Sequence, residues 1–127
     1  MKKRNDREAE LRLIGTAAEA LVKAGYKLQV RDGERFWCGE QTQNVPDIQS
    51  ACADNETGES WLFVYQPHVG DLDNHVGWLL FFHGCGNDAF SHVKAVCGHF
   101  DRIGAALHNA GMYVDARGIS IPEPNAA

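Results

Sequence analysis

Two short, strongly apolar segments constrain the fold of this chain more than any other feature. They are Ser60–Tyr65, with the sequence SWLFVY, and Val76–Phe82, with the sequence VGWLLFF. Both segments are apolar on the two faces that a β-strand presents, a pattern typical of the central strands of a sheet. The polar connection between them, residues 66–75, contains proline and glycine and is predicted to be a loop. The two strands are therefore predicted to pair antiparallel.

Helical periodicity predicts three helices around these strands. The segment Asp6–Ala24 repeats apolar residues at spacings of three and four, and Phe100–Leu107 has the same pattern. Pro46 suits the first turn of a further helix over Val45–Asn55, because proline has no N–H to leave unpaired there. Residues 89–96 fit either a helix or a short edge strand, and both interpretations remain open.

A β-hairpin is predicted after the first helix. Residues 26–31 alternate between apolar and polar side chains, and Asp32-Gly33 is typical of a two-residue hairpin turn. Such a turn would place Leu28 opposite Trp37 on the core face, with Phe36 on the other face. We interpret the three tryptophans as packing in the core or at its edge, namely Trp37, Trp61 and Trp78.

These elements predict a single α+β domain. The economical arrangement is an antiparallel sheet of about four strands with helices packed on one face, in the order α-β-β-α-β-β-α. A chain of 127 residues fits one such domain, since two would each be too small to bury a good core. The domain is predicted over residues 1–113. Residues 114–127 contain glycine and prolines and are predicted to form an extended or partly disordered tail.

The charge balance limits the partners that we expect. The chain has 12 basic and 17 acidic residues, a net charge of −5. This balance argues against binding nucleic acid through phosphate contacts and against docking on an anionic membrane. No secretory signal or membrane-length apolar run is evident, so a cytoplasmic protein with reduced cysteines is predicted.

Two stretches resemble a known group of proteins. They are AGYKLQVRDGERFW, residues Ala24–Trp37, and VGWLLFFHGCGND, residues Val76–Asp88. Both are similar to stretches in a loose group of short proteins encoded by phages, prophages and mobile elements. With the helix between them, the resemblance covers residues 11–90. The chain departs from the group in the loop at residues 66–75 and in the cysteine- and histidine-rich stretch after residue 83. The resemblance implies an accessory protein of a mobile element and implies no reaction.

Two pairs of histidine and cysteine are candidate zinc ligands. They are His83 with Cys85, and Cys97 with His99. Imidazole and thiolate are good zinc ligands, and two such pairs would complete a tetrahedron if they met in space. The Cys-x2-Cys spacing of structural zinc sites is absent, however. The favoured interpretation is that the cysteines act as small hydrophobic residues and the histidines lie at the ends of elements, with no metal.

The loop PHVGDLDNH is the second candidate site. Its polar side chains are His68, Asp71, Asp73 and His75. The Asp-x-Asp pair lacks the further ligands and the terminal glutamate of a calcium loop. Function concentrates on such loops, so contact with a partner protein is its predicted use, with the aspartates facing basic groups, and the alternative is a surface loop without a role.

No catalytic motif or cofactor signature is present in the sequence. The sequence Gly84-Cys85-Gly86 lacks the remaining residues of a phosphate-binding turn and predicts a tight turn with positive φ. We therefore predict a non-enzymatic, small acidic protein-interaction module without a cofactor. It would be a mobile-element accessory protein or an inhibitor of a host protein. The alternative is a zinc-binding protein that uses the histidine and cysteine pairs.

Overall fold

A computed structural model describes residues 2–66, 74–96 and 98–122 of the chain. Within these residues there are three α-helices and six β-strands. In chain order the elements are α1 (Lys2–Lys23), β1 (Lys27–Asp32), α2 (Val45–Asp54), β2 (Glu59–Gln66), β3 (Asn74–Phe82), β4 (Phe90–Ala95), α3 (His99–Asn109), β5 (Tyr113–Val114) and β6 (Ser120–Ile121).

The first four strands form one antiparallel sheet in the order β1-β2-β3-β4. The predicted α+β class, with four antiparallel strands and helices on one face, is confirmed. The two strongly apolar segments are β2 and β3, and they occupy the centre of the sheet, as their composition predicts. The order of elements roughly matches the predicted one. It differs in the position of one strand, because Phe90–Ala95 supplies β4 while residues 34–38 form no regular strand.

The core lies between the helices and one face of the sheet. Each helix contributes fully buried apolar side chains from the predicted stripe: Ile14 and Leu21 from α1, Ile48 and Cys52 from α2, and Ile103 and Leu107 from α3. The sheet contributes the alternate residues that face the helices, namely Leu28, Val30, Leu62, Val64, Leu79, Phe81 and Val93. Because strand side chains alternate, the other residues of these strands point away from the helices.

Local backbone chemistry sets where two of the helices end or begin. After α1, Tyr26 N donates to Leu21 O and Gly25 has a φ of 98°, a helix end that favours glycine. At the start of α2, the Asn44 side chain accepts a hydrogen bond from Asp47 N, and Pro46 lies in the first turn, as predicted.

The predicted register of the hairpin after β1 is wrong. Asp32 N donates to Phe36 O, and Arg35 has a φ of 73°, so the turn contains three residues rather than two. Trp37 consequently pairs with Arg31 instead of Leu28, a shift of three positions. An odd shift moves a side chain to the other face of the sheet. Trp37 therefore lies away from the core and is 49% exposed, and it is not a neighbour of Leu28 on the core face.

The two outer edges of the sheet are bordered by other segments of the chain. Along β1, Leu28 and Thr42 exchange both backbone hydrogen bonds, and Cys38 N donates to Val30 O. Along β4, Val93 N donates to Gly118 O, next to the short β5–β6 hairpin. The region predicted as a tail thus begins with a hairpin against β4. Residues 123–127 lie outside the described residues.

Candidate functional site

The face of the sheet that points away from the helices carries a cluster of aromatic side chains. We call it the open face. It consists of the outward residues of β1 to β4, namely Lys27, Gln29, Arg31, Glu59, Trp61, Phe63, Tyr65, His75, Trp78, Leu80, Phe82, His92 and Lys94. The register places Trp61 opposite Leu80 and Phe63 opposite Trp78. Large side chains on adjacent strands therefore lie side by side at the centre of this face.

The aromatic rings of the open face pack against one another. The ring centroids of Trp61 and Trp78 are 4.7 Å apart with an edge-to-face angle of 69°. Trp37, from the segment after β1, meets Phe63 edge to face at 5.1 Å, and His75 stacks on Phe63 at 4.9 Å. These distances and angles are the ones that aromatic pairs prefer. The cluster is thus an ordered surface built from β2, β3 and the segment after β1.

Arg31 lies over two of these rings. Its guanidinium carbon is 4.6 Å from the Phe63 centroid and 4.9 Å from the Trp61 centroid, within the range of cation–π contacts. Its Nε is buried and has no hydrogen-bond partner among the described residues. The guanidinium is therefore held in place by rings rather than by a carboxylate.

The open face is accessible although it is rich in apolar groups. The three helices pack on the other face, so Trp61, Phe63 and Trp78 stay partly exposed, and His75 and Lys94 are exposed. All three tryptophans of the chain contribute to this surface, since Trp37 covers part of it. Their predicted place in the core or at its edge is corrected. They pack against the outer side of the sheet, because Trp61 and Trp78 alternate with the core residues of their strands.

A second cluster of chemically active groups is buried under the turn after β3. The carboxylate of Glu10, which is fully buried, accepts hydrogen bonds from Gly84 N at 2.6 Å and Gly86 N at 3.0 Å. Both glycines have positive φ, as the predicted tight turn requires. The backbone donors of this turn thus bind a carboxylate of α1. The incomplete phosphate-binding motif of the sequence therefore encodes an internal contact.

His83 extends this cluster from Glu10 to Ser60. Its Nδ1 is 3.1 Å from Glu10 Oε1, and its Nε2 is 2.7 Å from Ser60 Oγ. Arg7 Nη1 is also 2.8 Å from Nδ1. In the neutral ring Nδ1 either donates to Glu10 or accepts from Arg7, and Nε2 is paired with Ser60 in both tautomers.

The pKa values of this cluster favour a charged Glu10 and a neutral His83. Burial opposes the charged form of Glu10, but hydrogen bonds from His83, Gly86 and Gly84 outweigh it and hold its pKa below the usual value. Burial lowers the pKa of His83. The bond to Glu10 opposes that shift, and the nearby charge of Arg7 adds to it.

The order carboxylate, imidazole, hydroxyl is that of a hydrolase triad, but the environment does not suit catalysis. Ser60 is fully buried, and its Oγ accepts a hydrogen bond from Asn55 Nδ2 at 2.7 Å. Beside it, burial raises the pKa of the Cys52 thiol to about 12, so this thiol is not a reactive thiolate at neutral pH. A substrate has no access to either nucleophile. The cluster therefore connects α1, α2, β2 and the turn after β3.

Arg7 completes the connection to α2. Its Nη2 donates to the carbonyl oxygens of Cys52, Ala53 and Asn55 at 2.7, 2.8 and 3.3 Å. The last carbonyls of a helix lack partners within the helix and carry partial negative charge. Arg7 thus satisfies the C-terminal end of α2 from the neighbouring helix.

The predicted loop site falls mainly outside the described residues. His68, Asp71 and Asp73 lie among residues 67–73, for which no structure is described. His75 is described and belongs to the open face, where its ring is also 5.5 Å from that of Tyr65. His75 thus places the first residues of β3 at the edge of the aromatic cluster.

The described candidate zinc ligands, His83, Cys85 and His99, do not come together. His83 follows the end of β3 and His99 follows the end of β4, and these strands are antiparallel. The two histidines are thus separated by about one strand length, roughly 17 Å. His83 is bonded as described above, and His99 Nδ1 is 2.8 Å from Tyr26 Oη. Cys85 is exposed, and Cys97 lies outside the described residues. Among the described residues, no group of three metal-binding side chains is placed to hold an ion.

Sequence reasoning missed both clusters, for different reasons. The open face had a signal, because Trp61, Phe63 and Tyr65 alternate along β2 and so share one face. The contact of Glu10 with His83 had none, since 73 positions separate the two residues.

The fold and this surface define an α+β protein with an aromatic, partly exposed sheet face. Comparison with known proteins adds no relative: no family model matches the chain, and neither a curated protein nor a solved structure matches it significantly.

Proposed function

We propose that this chain is a non-enzymatic protein-interaction module that binds its partner through the open face. The observation that carries the proposal is the aromatic cluster around Trp61, Phe63 and Trp78, which the three helices leave accessible. Clustered apolar side chains on a protein surface mark interaction sites. Tryptophan and arginine are also enriched among the residues that dominate binding energy, and Arg31 lies within this cluster.

The burial of the Ser60 hydroxyl argues against catalysis by the second cluster. The arrangement of Glu10 with His83 and Ser60 has the groups of a hydrolase, but its hydroxyl is fully buried. None of the described helices has the length and apolar composition of a membrane span. His75 of the predicted loop site belongs to the open face, whereas His68, Asp71 and Asp73 lie outside the described residues, and their contact with a partner stays a separate prediction.

The partner that we propose is another protein. The resemblance to phage and mobile-element proteins makes a host protein the expected class of partner. An accessory protein or an inhibitor would then act by occupying a surface of that host protein.

Site-specific photo-cross-linking in the cells that produce the protein tests this function. Benzoylphenylalanine placed at position 78 replaces one aromatic side chain of the open face by another. Illumination should cross-link it to a protein that mass spectrometry can identify. The partner lies within reach of this residue if the open face is the binding surface.

The matched control is benzoylphenylalanine at position 19, which is exposed on α1 on the other side of the sheet. We expect the adduct at position 78 to exceed that at position 19 at least about tenfold, because cross-linking requires direct contact. Equal yields of the same adduct, or no protein adduct at position 78, would contradict the proposed function.

A further inference from the structure

The charged groups of the open face indicate the chemistry of its partner. Arg31 and Lys94 are basic, Lys27 is basic but already has an interaction of its own, and Glu59 is the one carboxylate among the described residues of this face. This carboxylate has a partner within the face, because Glu59 Oε1 accepts a hydrogen bond from Trp61 Nε1 at 3.2 Å. The face is thus basic although the whole chain has a net charge of −5. Complementary charge favours an anionic partner at this surface.

Arg31 supplies the strongest indication. Its guanidinium is fixed over the Phe63 and Trp61 rings, and no ion pair of Arg31 is found within the described part of the chain. A guanidinium has five N–H donors, and a carboxylate can accept two of them at once. An arginine held by rings beside exposed Trp37 is therefore positioned for a carboxylate from outside.

The size and edges of the face limit the form of the partner. Four strands about 4.8 Å apart and about five residues long give an area of roughly 300 Å². A stable protein interface of standard size needs about 800 Å² from each partner, and a second copy would also place basic groups on basic groups. The outer edge of β1 is paired with residues 36–42, so a partner cannot add a strand there. A short segment lying across the side chains fits these limits.

We propose that the open face binds a short acidic segment of a partner protein. A carboxylate of the segment pairs with Arg31 on β1, a second acidic side chain lies near Lys94 on β4, and an apolar or aromatic side chain between them packs on Trp61 and Trp78. This inference depends on the proposed function and adds the chemistry of the partner. Single-stranded nucleic acid also combines anionic and flat groups. Its affinity depends on many phosphate contacts, which a chain with a net charge of −5 opposes.

Selection of short random peptides displayed on phage, with the purified full chain as bait, tests this proposal. Dissociation constants of the selected peptides can be measured from the change in tryptophan fluorescence on binding, since all three tryptophans lie at the open face. We expect selected peptides to be enriched in aspartate or glutamate next to an aromatic or aliphatic residue. Added salt should weaken their binding, because exposed charges are screened.

Two variants and a control assign the binding to this face. Arg31→Gln should weaken peptide binding at least about tenfold, because it removes the guanidinium that pairs with the carboxylate. Lys94→Gln, at an exposed position, should weaken peptide binding by a smaller factor. This second variant tests the proposal even if Arg31→Gln does not fold. Arg12→Gln, exposed on α1, is the matched control and should leave the affinity unchanged.

Several results would overturn the proposal. They are selected peptides without acidic residues, unchanged affinity in the folded Arg31→Gln and Lys94→Gln variants, or tighter binding of oligothymidylate than of any selected peptide. These failures can be separated from failure of the proposed function. If position 78 cross-links to a protein through a segment without carboxylates, only the acidic specificity is wrong. If position 78 yields no protein adduct, both proposals are wrong.

Discussion

Glu10→Ala should lower the free energy of unfolding by about 3–5 kcal/mol. The buried carboxylate accepts hydrogen bonds from the backbone of Gly84 and Gly86 and pairs with His83. Alanine would leave the buried Gly86 N–H and the partly buried Gly84 N–H and His83 ring without this acceptor, and a buried group without a partner costs about 1–3 kcal/mol. The loss therefore exceeds the typical effect of a single substitution, which is about 1 kcal/mol.

The measurement is urea denaturation at neutral pH, with Glu19→Ala as the control. Glu19 is also on α1, but it is exposed and pairs with Lys23 four residues later. Such a pair contributes about 0.5 kcal/mol or less, because solvent screens it. If the two variants lose the same stability, Glu10 does not hold the turn after β3, and our description of the buried cluster is wrong.

Phe81→Ala should lower the free energy of unfolding by about 3–5 kcal/mol, whereas Trp37→Ala should lower it by only about 1 kcal/mol. Phe81 is fully buried between the sheet and the helices, and its removal leaves a cavity. Trp37 is 49% exposed and packs mainly on Phe63. The Trp37→Ala variant therefore loses one aromatic pair and little buried surface.

Urea denaturation gives the free energy of unfolding of both variants and so tests which face of the sheet packs against the core. A loss for Trp37→Ala equal to that for Phe81→Ala would support the two-residue turn and would place Trp37 inside. The comparison also tests the open face, because a small loss for Trp37→Ala is expected only if Trp37 lies on the accessible side of the sheet, against Phe63.

The central strands and the helices could be predicted because their signals are local. SWLFVY and VGWLLFF are short and apolar on both faces, and α1 repeats its apolar residues at helical spacing. The hairpin register could not be predicted, because Asp32-Gly33 also starts a three-residue turn. That turn places Arg35 at a φ of 73°, a conformation that the sequence does not indicate for arginine.

The sequence does not predict which face of β2 and β3 the helices cover. Periodicity identifies a strand that is apolar on both faces, but it does not say what covers the second face. In this chain the helices cover Leu62 and Leu79, while Trp61 and Trp78 face outward. Likewise, spacing alone favoured neither convergence nor separation of His83 and His99, whose distance is set by the antiparallel pairing of β3 and β4.

The central claim is that the open face is the surface through which this chain binds a partner protein. The most direct measurement is the dissociation constant of the partner cross-linked at position 78, for the native chain, for Trp78→Gln and for Glu19→Gln. We predict that Trp78→Gln remains folded and weakens binding at least about tenfold, as expected for a tryptophan at the centre of an interface. Glu19→Gln, on the opposite side, should bind like the native chain. Equal affinities of the native chain and a folded Trp78→Gln variant would contradict the claim.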